Sequence, residues 1–408
     1  MTDTDAAPAA GAPPWTCPFC PLLCDSFGVD ADPGLPTLVP RGTDCAKARA
    51  GLARFSARPP AAPAAFVHGQ ASSVDAAITA AAERLAAARQ PLFGGLGTDV
   101  AGARALYALA CQTGAVCDAA QGAAMMHGLR ALQDRGRFST TLAEVHERAD
   151  LVVCVGGDPS ERYPLFFERC GLAAGDARLA TLQPGPGQDL FDTVALLAAA
   201  VDGRRLSAPL PEALAGLAAR LAASRYAVIV YETGRLPAQG ALIVEALNRI
   251  VGTLNRTTRA AALALGGGDG ASTVNEVFTW LSGLPLRSRA GPAGLEHEPL
   301  CFDAQRLLAG GAVDALLWVA SFGAQPVPAT AGLPRIVLGP AAMAGEAAAD
   351  VFIAVATPGI GAGGHLFRVD GSVVVPLRPV IADGLPTVAE VLRQLSLALR
   401  SQRQGVAA

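Results

Sequence analysis

The chain has 408 residues, 51% of them hydrophobic and only 16% charged, which is ample for packed cores and excludes whole-chain disorder. A formal net charge of −3 leaves no electrostatic footprint for nucleic acid or an anionic membrane surface. Mean hydropathy is +0.35, yet the longest charge-free stretch, 315–334, holds three prolines and two glycines and cannot form a spanning helix.

The opening MTDTDAAPAAGAPPW has neither a basic region nor an apolar run, so no secretory signal is read there and the cytoplasm is expected. Residues 1–14 read as a flexible Ala/Pro tail, and 15–65 as a small cysteine domain closed by the linker RPPAAPAA at 58–65. Beyond it, short Val/Ile/Leu runs ending in Gly, Pro, Ser or Thr predict strands at 91–97, 151–156, 226–231, 315–321, 335–339 and 351–357. Amphipathic Ala/Leu/Arg stretches between them predict helices at 74–89, 101–113, 211–224, 240–254, 272–281 and 387–400. This alternation builds parallel sheets covered on both faces, with ligands at the carboxyl ends of strands. The expected architecture is α/β: after the cysteine domain come two Rossmann-like units, with 136–310 inserted into one made of 66–135 and 311–380, and a C-terminal helix at 381–408.

Nine cysteines in a chain without an export signal should stay reduced. Cys111, Cys117, Cys154, Cys170 and Cys301 lie in apolar surroundings and read as small buried hydrophobes. The other four are spaced for chemistry. Cys17, Cys20 and Cys24 form C-x2-C-x3-C, and Cys45 follows after 20 residues. Thiolates brought together repel one another unless a cation holds them. One tight turn carrying three, closed by a distant fourth, suits a [4Fe–4S] cluster. Structural zinc remains open beside it, although zinc sites commonly pair two C-x2-C knuckles and only one is present. Two residues after Cys45 stands Lys47, the single lysine among 32 basic residues.

Strand-end loops supply the remaining candidates. LVVCVGGDP ends in Gly156, Gly157, Asp158 and Pro159, where small residues admit a ligand to the backbone and the Asp can accept from a ribose or amino group; a plain turn is the alternative. GLGTDVAGARAL lacks the dinucleotide fingerprint, and no GxxxxGK[ST] loop exists, so nicotinamide and ATP chemistry are not supported. A glycine cluster, LALGGGDGASTVNEVFTWLSGLP at 263–285, reads as a loop into a helix with Ser272 or Asp269 near the cap.

The cysteine quartet resembles the first domain of the molybdopterin and tungstopterin oxidoreductases. In them a Lys placed like Lys47 lies between cluster and pterin and relays electrons. Taken in order, the quartet, GGDP, GDGASTVNEVFTW, ALLWVASFG at 315–323 and PGIGAGGHLFRVDGSVVVPLRP at 358–379 resemble the B subunit of formylmethanofuran dehydrogenase, from about residue 15 to 379. The bacterial formyltransferase/hydrolase complex contains a relative of that subunit. The resemblance implies a hetero-oligomeric complex of one-carbon metabolism, with amidohydrolase-like and formyltransferase chains as partners. Stand-alone members of the superfamily carry a further C-terminal domain, which the formylmethanofuran enzymes place on a separate subunit.

One departure divides the implied function. In the family's redox subunit, tungsten or molybdenum is held through a Cys followed by His and Gly, in a loop after a V-x-D element. Here His127 and Gly128 match, but Met126 stands in the ligand position. A neutral thioether cannot supply the thiolate charge a high-valent metal prefers. An assisting Arg of the family maps to Arg289, within RSRAG. Two readings follow: a non-catalytic subunit of a formyltransferase/hydrolase complex with a degenerate metal site, or a redox subunit interconverting CO2 and formate on a pterin-bound metal. In the first, a cluster retained for stability accounts for the quartet.

Overall fold

The structure, a computed structural model, describes residues 15–56, 63–173, 175–185, 187–323, 325–330, 332–345 and 349–407. The tail at 1–14 and most of the 58–65 linker lie outside the described residues. The chain divides into two compact units.

The first unit comprises Met1–Gly122, Gly267–Phe367 and Val374–Ala408. Its main sheet runs, edge to edge, Gly294–His297, Ser288–Gly291, Val116–Cys117, Pro91–Gly97, Ala315–Ala320, Arg335–Gly339, Val351–Ala354, Ala65–Val67 and Gln70–Ser72. The five central strands are parallel, and an antiparallel hairpin closes each edge. Pro91–Gly97 is buried at every position, as a parallel strand covered on both faces must be. Glycine is required inside it: a β-carbon at Gly94 would stand 2.8 Å from the Trp318 indole on the next strand. Helices Val74–Ala87 and Val100–Thr113 pack against the C-terminal helix Val388–Ala407. Ser73 and Asp99 start the first two by accepting backbone N–H groups, worth about 1 kcal/mol each.

The second unit comprises Ala123–Gly266 and Arg368–Val373. Its sheet is wholly parallel, in the order Arg259–Leu265, Tyr226–Glu232, Leu151–Val155, Leu179–Leu182. The strand order reverses between Leu151–Val155 and Tyr226–Glu232, so their carboxyl ends flank the crevice where open α/β sheets take ligands. Helix Gly240–Leu254 buries Ile243, Val244, Leu247, Ile250 and Val251 against this sheet. Each contributes roughly 1.5–3 kcal/mol of apolar burial.

The sequence places the insertion at 136–310, whereas the second unit ends at Gly266 apart from the short return Arg368–Val373. The reason is local: Ser288–Gly291 pairs with Val116–Cys117 and so belongs to the first sheet. Nor do residues from 15 to 56 form a unit of their own, since Trp15 Nε1 donates to the Gly359 carbonyl at 2.7 Å. Two of the five isolated cysteines also depart from expectation: Cys117, Cys154 and Cys170 are buried, but Cys111 and Cys301 are exposed. Among the described residues no helix is long and apolar enough to cross a membrane.

Candidate functional site

Cys17, Cys20, Cys24 and Cys45 are all buried, with exposures of 3%, 6%, 6% and 8%. The first three share one loop, closed where Cys17 N–H donates to the Cys24 carbonyl at 2.9 Å and Leu23 N–H to that of Cys20 at 3.0 Å. Leu23 takes a left-handed φ of +48° to make this turn. Cys45 sits at the N-cap of the helix Ala46–Leu52. Phe19, inside the loop, lies flat on that helix at Gly51, where a β-carbon would stand 2.3 Å from the ring. Cys20, Cys24 and Cys45 all lie within electrostatic reach of Cys17. Burial pushes Cys17 far above the usual thiol range, and charge on Cys20, Cys24 and Cys45 would push it further. Burial also pushes Cys20 up to about 11, opposed by the Leu22 N–H and by Lys47. Such thiols ionise when a cation compensates them, which is the chemistry of a metal centre held by four cysteines. Among the described residues no three His, Cys, Asp or Glu side chains are gathered closely enough to hold a single metal ion. A cubane makes a looser demand, because it spreads four cysteines over four irons.

Gly156 to Pro159 follow strand Leu151–Val155, and Gly157, Asp158 and Pro159 line the switch-point crevice of the second unit. This cavity, about 200 Å3, is also lined by Tyr231, Glu232 and Arg235. The Arg235 guanidinium lies over Gly157, where a β-carbon would stand 2.3 Å from Nη1. Arg235 pairs with Glu161 and, at 3.1 Å, with the buried Glu232, which also takes Arg162 at 2.6 Å. Asp158 spends an oxygen on its own turn, accepting from Ser160 N–H and Oγ at 2.7 Å each. Glu161, Arg162, Glu232 and Arg235 were not legible as a site, because the ion pairs that join them span two distant segments.

Met126 and His127 lie on the helix Gly122–Arg135, in the second unit rather than on a metal-binding loop. Met126 is 3% exposed, and His127 packs against Gly240, where a β-carbon would stand 2.6 Å from the imidazole. Arg289 is occupied in the first unit: Nε donates to Glu296 and Nη1 to Gln90, both at 2.7 Å, and the guanidinium lies 5.2 Å from the Phe302 ring centre. The buried arginine there is its neighbour Arg287, 3% exposed, which sequence reasoning missed. Its Nε donates to Asp118 at 3.2 Å, and its Nη groups reach Asp303 and the Pro299 carbonyl. Asp118 is the acidic residue of the V-x-D element Val116-Cys117-Asp118, and its other oxygen accepts Ala304 N–H at 2.9 Å. Burial pushes its carboxyl up to about 6 against the pull of Arg287.

No protein-family model matches the chain. The B subunit of the formyltransferase/hydrolase complex of Methylorubrum extorquens is 37% identical over 327 residues, covering 75% of this chain and 88% of that protein. The chain belongs to the family of formyltransferase/hydrolase complex B subunits. It is also similar, at 27% identity over 331 residues, to the B subunit of a tungsten-containing formylmethanofuran dehydrogenase of Methanocaldococcus jannaschii. This second match covers 70% of this chain and 74% of the archaeal one. The crystal structure of the M. extorquens formyltransferase/hydrolase complex with methylofuran contains a chain of the same fold. It is 32% identical with a TM-score of 0.72, covering 84% of this chain and all of that one. The resemblance read from the cysteine quartet, GGDP and the later motifs is thereby borne out, as is the α/β fold.

Proposed function

We propose that this chain is the B subunit of a cytoplasmic formyltransferase/hydrolase-type complex and that it acts there as a non-redox assembly subunit. Its partners are formyltransferase and amidohydrolase-like chains. They pass a formyl group from tetrahydromethanopterin to a methanofuran-type carrier and release it as formate. The observation that carries the non-redox reading is Arg235, whose guanidinium covers Gly157 in the crevice that follows strand Leu151–Val155. A pterin dinucleotide at this loop would have to expel it and leave Glu232 buried without one of its two cations. The residues present do not fit that group. Met126 supports the same reading, because a buried thioether replaces the thiolate that tungsten or molybdenum prefers.

The cysteine quartet does fit an iron–sulfur cluster. Cys17, Cys20, Cys24 and Cys45 would hold it, and when bound it supplies a covalent cross-link of the 15–56 segment together with one-electron capacity. The chain's own residues shape the place for it: the Cys17–Cys24 turn gathers three thiols, Gly51 lets Phe19 seat the loop on the helix, and Lys47 offsets thiolate charge near Cys20. The thiols beside Lys47 are also the one observation favouring the redox reading.

The test is to purify the complex through a tag on this chain and assay both chemistries. The formyltransferase and amidohydrolase-like chains should co-purify, formate should be released from the formylated carrier, and no dye-linked formate oxidation should appear. Formate oxidation that tracks this subunit would overturn the proposal. Cys17→Ser should impair assembly and thermal stability; unchanged values would contradict the structural cluster.

A further inference from the structure

Asp269, in the glycine cluster, does not cap the helix that follows it. The N-cap of Ala271–Ser282 is Gly270, left-handed at φ +82°, with no side-chain cap bond. Asp269 is itself left-handed at φ +53°. The loop is held there by close backbone approaches: a β-carbon at Gly270 would stand 2.3 Å from the Thr98 carbonyl, and one at Gly97 3.0 Å from that of Asp269. Pro21 of the thiol loop comes within 3.7 Å of where a β-carbon of Gly268 would be. Asp269, Cys20 and Pro21 line one cavity of about 200 Å3.

So placed, the Asp269 carboxyl is pushed above the usual Asp range by burial, while Lys47, Arg54 and Gln325 pull it back towards the charged form. Arg54 is fixed independently. Its guanidinium lies 5.4 Å from the Phe19 ring centre and 6.0 Å from that of Phe55, and Nε donates to the Gly51 carbonyl at 3.4 Å. Ionisable groups of both signs, Asp269 with Lys47 and Arg54, therefore lie near the thiol loop.

We propose that Asp269 tunes the four-thiol site: its carboxyl, in the cavity it shares with Cys20, contributes to the charge that a bound iron–sulfur cluster meets. This rests on the reading of Cys17, Cys20, Cys24 and Cys45 as cluster ligands. Cluster potentials follow local charge, so loss of a nearby anion favours the reduced, more negative state.

The experiment uses full-length chain purified anaerobically, with iron and acid-labile sulfide assayed and the midpoint potential titrated spectroscopically. Asp269→Asn suits the left-handed backbone, since Asn is tolerated there. It should retain iron and raise the potential, and Asp269→Glu should return it towards the wild-type value. Lys47→Gln, which removes a cation, should lower it. An iron-loaded Asp269→Asn protein with an unmoved potential, or one shifting in the same direction as Lys47→Gln, would overturn the assignment to Asp269. Wild-type chain free of iron and sulfide would instead sink the four-thiol reading, and this proposal with it.

Discussion

Arg235 occupies the space above Gly157, so that a β-carbon on the glycine would meet Nη1 at 2.3 Å. The contact joins the ends of the two strands that flank the switch point, and Glu232, 6% exposed, anchors it. Arg235→Ala removes one of the two cations on a buried carboxylate and should destabilise the chain by about 1–3 kcal/mol. Gly157→Ala displaces the same guanidinium. In a double-mutant cycle read by chemical denaturation the two changes should therefore be non-additive, with a coupling of roughly 0.5–3 kcal/mol. Strict additivity would mean that Arg235 does not rest on Gly157.

Asp118 and Arg287 form a deeply buried ion pair of the first unit, at 2% and 4% side-chain exposure. Asp118→Ala strands one side of the guanidinium and the Ala304 N–H together, which should cost about 3–5 kcal/mol. Asp118→Asn keeps an acceptor oxygen and should cost clearly less. Equal losses in the two variants, measured by urea unfolding, would contradict a role in charge compensation.

Much of the fold was legible because the strands with strong Val, Ile and Leu content announce themselves. Strand 335–339 and helix 240–254 lie where periodicity places them. Strand Arg259–Leu265 was not, because RAAALAL has no β-branched residue to mark it; only pairing with Tyr226–Glu232 makes it a strand. The thiol quartet was visible in its spacing alone. Arg235, Glu232, Arg287 and Asp118 were not, since each matters through a partner distant in the chain. Ser272 or Asp269 was read near the cap because both residue types commonly cap helices. Backbone geometry at Gly270 turns Asp269 elsewhere.

Asp370 supplies a pH dependence. Burial alone would raise its carboxyl, but hydrogen bonds from Arg368, the Leu142 N–H and Ser372 outweigh it and hold the group below the usual Asp range. A lowered folded-state pKa gives stability that is present above the unfolded value, about 4, and is lost as pH falls through the folded one. Asp370→Asn should therefore cost roughly 1–3 kcal/mol at neutral pH, with the gap to wild type narrowing on acidification below pH ~4. A gap that stays constant or widens in acid would refute the sign.

Thiol exposure is a simpler check. Of nine free cysteines, Cys111 and Cys301 are exposed and the others buried. A thiol-specific reagent should label these two rapidly on the native chain and reach the rest after denaturation and removal of any metal. Rapid labelling of Cys154 or Cys170, both pushed up to about 12 by burial, would contradict the packing of the second unit.

The metal content of the assembled complex decides most directly between an assembly subunit and a redox one. Elemental analysis of anaerobically purified complex should find tungsten and molybdenum far below one per copy of this chain and iron near four, matching the thiols at 17, 20, 24 and 45. One tungsten or molybdenum per copy would contradict the non-redox role, because such a centre would have to form despite Met126 and with Arg235 driven from its crevice.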